Sequence, residues 1–216
     1  MPNTTVVLIR HAEKLTWSKG VTPEMGAKAA YIDNHMLSGK GYERAHALVS
    51  YFTQRQEMAM LFEKRPLAVV IAQGVDTGVD AWGQSRRPLE TVMPLVQALN
   101  DTARSVDPTS LSLQIQKITN GQPIPLLEII KKNYADLITR IQAGEFEGKT
   151  IIISWSHQQL PQLALGLGVS PELVPRKWQG GRFDVTWVVE MEQGKESTFS
   201  QLPQRLLFED SSAIIQ

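Results

Sequence analysis

Two of the four histidines stand just after apolar, β-branched runs, the first of them directly after an arginine. Val6 to Ile9 runs into Arg10 and His11, and Thr150 to Trp155 is followed by Ser156 and His157. A further run, Leu67 to Ala72, is followed after a loop by Ser85, Arg86 and Arg87. In open α/β sheets ligands bind beyond the carboxyl ends of the strands, so these strand ends would share one edge. A single histidine or arginine is usually structural; imidazoles and guanidinium groups converging from separate strands argue for a common task. Phosphoryl transfer suits them. Guanidinium forks hold a phosphate dianion better than lysine does. An imidazole can attack phosphorus and carry the group as phosphohistidine. A second imidazole, kept cationic by the anion, can donate to the equatorial oxygens as charge spreads over them. Guanidinium and imidazolium charge would replace the usual magnesium, so neither metal nor cofactor is expected.

Other chemistries fit less well. His11–Ala12–Glu13 matches the H-x-E of zinc deaminases, but the P-C-x-x-C partner needs cysteine and the chain has Cys 0. The same lack excludes disulfides, thiolate metal sites and a cysteine nucleophile. No H-E-x-x-H is present, "SWSHQQ" is no G-x-S-x-G elbow, and neither phosphate-binding glycine motif follows a strand.

The elements that must position these groups are short. Val6–Ile9, Leu67–Ala72 and Thr150–Trp155 read as buried parallel strands, and Leu111–Ile118 alternates like an edge strand. Helical spacing covers 41–54, 87–99, 126–142 and 158–167, the last stopping at Gly168. Pro88 and Pro161 fall in first turns, where proline is tolerated. Phe183–Met191 and Thr198–Leu207 form a closing antiparallel hairpin. Alternation of strand and helix predicts an α/β fold with a mainly parallel sheet, organised as a single domain over 1–216. Lys plus Arg is 22 and Asp plus Glu is 22, which argues against a sequence-wide nucleic-acid or acidic-membrane footprint. No apolar stretch nears the ~18 residues of a membrane span, and no leader pattern is seen. A cytoplasmic location is expected.

Four segments, in order, resemble the histidine phosphatase superfamily, the phosphoglycerate mutase-like group. They are "LIRHAEK"; "LSGKGYERA" (Leu37–Ala45), similar to a segment opening the first helix; "SRRPLETV" (Ser85–Val92), with Arg87 four residues before Thr91; and "IIISWSHQQLPQLALGLG", ending near the second histidine. The resemblance implies a three-layer α/β/α sandwich. It implies His11 as the nucleophile that is phosphorylated, Arg10 and Arg87 as phosphoryl clamps, His157 completing the pocket, and the Gln158 backbone near the phosphate. Arg86 rivals Arg87. The variant looks like a small phosphatase subgroup rather than the mutases.

The pattern departs at the general acid. In one branch of the family it is an aspartate directly after the second histidine; here that position is Gln158. In the other it is a glutamate after the third strand, for which the candidate is Glu128, in an apolar setting that would raise its pKa. Glu128 is equally explained as a helix first-turn acid. Asp76 and Asp80 are outside candidates, and Glu13 is expected to pair with Lys14, Arg86 or Arg87. In the inserts, Trp17, Met25, Tyr31 and Trp82 could wall the pocket, and Lys14, Lys19 and Lys28 could meet further anions. Trp178, Arg182 and the "WQGGRFD" turn have no assigned role. The expected activity is hydrolysis of a small phosphorylated substrate through phosphohistidine, with a weakly active phosphate-binding protein or a phosphomutase as alternatives.

Overall fold

The computed structural model describes residues 2–14, 36–79, 81, 84–103 and 110–216. Strands β1 (Thr4–Arg10), β2 (Leu67–Gly74), β3 (Leu126–Ile130), β4 (Thr150–Trp155), β5 (Val185–Met191) and β6 (Thr198–Pro203) form one sheet in the order β3-β2-β4-β1-β5-β6. The first four strands are mutually parallel; β5 runs antiparallel to β1, and β6 antiparallel to β5. Each of β1 and β4 is buried along its whole length, which is why both read as continuous apolar runs rather than alternating ones.

The helices are α1 (Gly39–Gln54), α2 (Gln56–Lys64), α3 (Arg87–Ala103), α4 (Ser110–Thr119), α5 (Tyr134–Gln142) and α6 (Leu160–Gly166). Successive strand side chains point to opposite faces, and the core divides accordingly. Val7, Ile9, Val70 and Ile152 pack against Leu48, Phe52, Leu95 and Ile115 from α1, α3 and α4. Val6, Leu8, Ile151 and Ile153 pack against Leu137, Ile141 and Leu163 from α5 and α6, with Trp178 and Trp187 beside them. The result is the expected three-layer sandwich.

Two sequence readings are corrected. Residues 111–118 are helical, not an edge strand: Ile115, Ile118 and Thr119 are buried at helical spacing, while Leu111 and Leu113, whose alternation suggested a strand, are exposed. The helix expected over 126–142 is split into β3, a 3-10 turn at Lys131–Asn133, and α5. Pro123 and Pro125 bias their preceding residues toward extended backbone. Asn100 then clamps Ile124 from both sides, donating to its carbonyl at 2.9 Å and accepting from its amide at 2.8 Å. Helix α2 was not anticipated. Gly168 ends α6 region with φ +85°, as a helix-terminal glycine should.

Candidate active site

The carboxyl ends of β1 and β4 are direct neighbours. Arg10 is in register with Trp155, and the His11 amide donates to the Trp155 carbonyl at 3.2 Å. His11 and His157 therefore meet, although nearly 150 residues separate them. Both line a cavity of about 390 Å³ together with Arg10, Arg87, Gln158 and Lys131. Arg86 is exposed and does not line it, so Arg87 is the arginine of that pair in the cavity wall. Glu128 is also absent from the wall; it is exposed on edge strand β3, with Oε2 close to the position a Cβ on Gly74 would take. Asp76 is buried in a turn, accepting from the Gly78 amide at 3.0 Å and pairing with Lys132 at 3.1 Å. Trp17, Lys19, Met25, Lys28, Tyr31, Asp80 and Trp82 lie outside the described residues.

Arg10 is only 2 % exposed and is immobilised from an unforeseen direction. Its Nη1 donates to the carbonyls of Gly180 (2.7 Å), Arg182 (2.8 Å) and Gln179 (3.3 Å), and its guanidinium lies 3.8 Å from the Phe183 ring centroid. The "WQGGRFD" turn is thus the socket of this clamp. Trp178 ties the turn down by donating Nε1 to the Arg182 carbonyl at 2.9 Å.

The motif residues around His11 form a second frame. Thr91 Oγ1 accepts from the Ala12 amide at 2.8 Å and donates to the Arg87 carbonyl at 2.7 Å, coupling the end of β1 to the start of α3. Ser38 caps α1 through the Gly41 amide at 3.1 Å, and its own amide and hydroxyl donate to the Glu13 carbonyl at 2.9 and 3.2 Å. Gly41 is required by closeness: a Cβ there would run into the Glu13 carbonyl oxygen. Glu90 accepts from the Leu37 amide at 2.9 Å. Glu13 was expected to meet Lys14, Arg86 or Arg87. It pairs instead with buried Arg44 at 2.7 Å, which also binds Asp210 at 2.6 Å. The tail of the chain is thereby joined to the nucleophile loop.

Electrostatics favour a neutral His11. His11 is 4 % exposed, and burial, then Arg10, Arg87 and His157, hold its pKa well below the ordinary value. Its Nδ1 sits 2.7 Å from the Ala12 carbonyl oxygen. With the proton on Nδ1 donated there, the lone pair resides on Nε2. His157 is lowered to about 4 by burial and by Arg10, Lys14, Lys131 and Lys177. Arg10 is lowered to about 10 by burial and by Arg87, and stays cationic at neutral pH. Three buried polar atoms of the wall, Arg10 Nε, Ser156 Oγ and His157 Nδ1, have no hydrogen-bond partner among the described residues. Leaving such an atom unsatisfied costs about 1–3 kcal/mol. Among the described residues no cluster of three or more His, Asp or Glu is placed to hold a metal.

Sequence reasoning missed Lys131, Gln73 and Ser156 in the wall. Lys131 is 7 % exposed and donates to Gln158 Oε1 at 3.0 Å. Read within an unbroken helix it occupied no distinctive face; only the break after β3 turns it inward. Gln73, at the end of β2, accepts from the Ser156 amide at 3.2 Å and braces the segment leading to His157.

Among solved structures, the ecdysone phosphate phosphatase from Bombix mori, determined with tungstate, superposes with a TM-score of 0.50 at 14% identity, covering 99% of this chain and 98% of that one. The chain has the histidine phosphatase fold. A protein assigned as the phosphohistidine phosphatase SixA from Agrobacterium tumefaciens gives a TM-score of 0.48 at 12% identity, over 94% of this chain and 98% of that one. No protein-family model matches the chain, and no curated protein matches it at a significant level. In a histidine phosphatase fold this divergent, the chemistry must be argued from the cavity itself.

Proposed function

We propose that the protein is a metal-independent phosphomonoesterase acting through phosphohistidine on a small phosphorylated substrate. The observation that carries this reading is the convergence of His11, with its lone pair on Nε2, and Arg10, Arg87 and His157 on one cavity. Arg10 and Arg87 hold the phosphoryl oxygens. His11 Nε2 attacks phosphorus, the Nε2–P bond forms, and the bond to the leaving oxygen breaks. His157, protonated once the dianion is present, donates to the equatorial oxygens. Water then cleaves the Nε2–P bond and releases inorganic phosphate and neutral His11. The fold-mate solved with tungstate is named for hydrolysis of a phosphate ester, which is consistent with this class of reaction.

The leaving oxygen needs a proton. Glu128 stands outside the wall, and we assign the task to Lys131, whose pKa is lowered by burial, making its ammonium a stronger acid. The test is turnover of p-nitrophenyl phosphate with rapid acid-free quenching. The wild type is expected to show activity that survives EDTA and a labelled phosphohistidine from ³²P-substrate, and His11→Ala to show neither. Chelator-sensitive turnover, or label retained in His11→Ala, would overturn the reading.

A further inference from the structure

Beyond His157 the cavity continues. A second cavity of about 350 Å³ shares His157 and Gln158 with the first, and is walled by Pro161, Arg176, Lys177 and Trp178. Trp178 is fully buried, and its indole is fixed through the Arg182 carbonyl, so one wall of this annex is rigid. The socket that orients Arg10 begins at the next residue, Gln179. Arg176 and Lys177 are exposed and have no carboxylate partner within 4 Å among the described residues. No carboxylate is among the described residues lining either cavity.

From this geometry we infer that the substrate carries a second anionic group, held by Arg176 and Lys177 in the annex while its phosphoryl group lies on Arg10, Arg87 and His11. This deepens the phosphatase reading and rests on it. A phosphate dianion is matched by the two arginines at the nucleophile. Arg176 and Lys177 line the annex, which shares His157 and Gln158 with the cavity that holds those arginines. A guanidinium offers a forked contact and an ammonium a point charge, which suits a phosphate or carboxylate at the end of a flexible small molecule. Lys177 already acts on His157 through space, so the annex and the catalytic cavity share one electrostatic field.

Binding without turnover tests this independently of catalysis. Alkane-α,ω-bisphosphonates of two to six carbons, roughly the reach of adjoining small cavities, are compared by calorimetry with alkyl monophosphonates and ω-phosphonocarboxylates of equal length. One bisphosphonate length is expected to bind about tenfold or more tighter than its monophosphonate, the worth of one charge-assisted contact. In the double variant Arg176→Ala/Lys177→Ala that ratio is expected to fall to about one. The carboxylate series separates a second phosphate from a carboxylate as the preferred group. Equal affinity across the series, a gain that does not depend on length, or a ratio that survives in the double variant would overturn the annex. Failure to hydrolyse any monophosphate ester would instead strike the phosphatase reading, and the binding ratios would still decide the annex.

Discussion

Replacing Arg44 by methionine should destabilise the protein in a manner that depends on pH. Arg44 is 2 % exposed and donates to both Glu13 carboxylate oxygens, to Gln204 Oε1 at 3.3 Å, and to both Asp210 oxygens. Methionine preserves much of the stem but removes every donor, leaving Asp210, with a side chain only 4% exposed, facing no cation in that network. Breaking a buried pair from one side costs about 3–5 kcal/mol. For a chain of this size that corresponds to a fall in Tm of roughly 6–20 °C. The pH signature separates this cause from lost packing. Burial alone would raise the Asp210 carboxyl, but hydrogen bonds from Arg44 and from the Leu207 and Leu206 amides hold it below the ordinary aspartate value. A depressed carboxyl contributes stability above its unfolded pKa, and that contribution is lost as pH falls through the folded pKa. Without Arg44 burial dominates, the Asp210 pKa rises, and protonation relieves the variant earlier than the wild type. Urea denaturation at pH 7.5 and near pH 4 should therefore show the stability gap narrowing on acidification. A gap of constant size would refute the ionic account and leave only packing.

Other expectations bear on the site. Lys131→Met should slow hydrolysis of an alkyl phosphate by about a hundredfold or more, but of p-nitrophenyl phosphate by less than about tenfold, because a good leaving group needs little protonation; equal losses would remove Lys131 as the acid. Tungstate binding at pH 7 should take up a proton, because His157, held near 4 by burial and surrounding cations, is raised when a dianion offsets them. Calorimetry in buffers of different ionisation enthalpy measures this uptake, and a binding heat independent of buffer in the wild type, or uptake retained in His157→Asn, would count against it. Gly41→Ala should cost about 1–3 kcal/mol as an overpacking change and should lower kcat, since the Cβ displaces the Glu13 carbonyl next to the nucleophile loop. A variant of unchanged melting temperature and turnover would show that the contact is not restrictive.

Much of the cavity wall was legible in the sequence because it sits where strands stop. A fully buried strand has one periodicity to display, and the residue where its apolar run ends is visible without coordinates; His11 and Arg10 follow from that, and His157 from the same reasoning two residues past β4. Arg87 was preferred to Arg86 on its spacing to Thr91, and of the two it is Arg87 that lines the cavity, with the Thr91 hydroxyl bonding its carbonyl one helical turn on. What the sequence hid were side chains whose partners come from distant segments. Glu13 has cations within a few positions of it, yet the one it uses is Arg44, with Asp210 beyond. Lys131 was obscured by an apolar pattern that suits a helix as well as an edge strand followed by a turn. Alternation at Leu111, Leu113 and Ile115 misled because two of those leucines face solvent, where pattern carries no packing information.

The socket for Arg10 has a consequence for how the cavity is assembled. Arg10 stands at the end of β1, but the carbonyls that aim its guanidinium belong to Gln179, Gly180 and Arg182, about 170 positions further on. Without that turn Arg10 would keep its place at the strand end and lose the three acceptors that set the direction of its guanidinium. The aim of Arg10 is therefore a property of the folded chain and not of the strand that carries it.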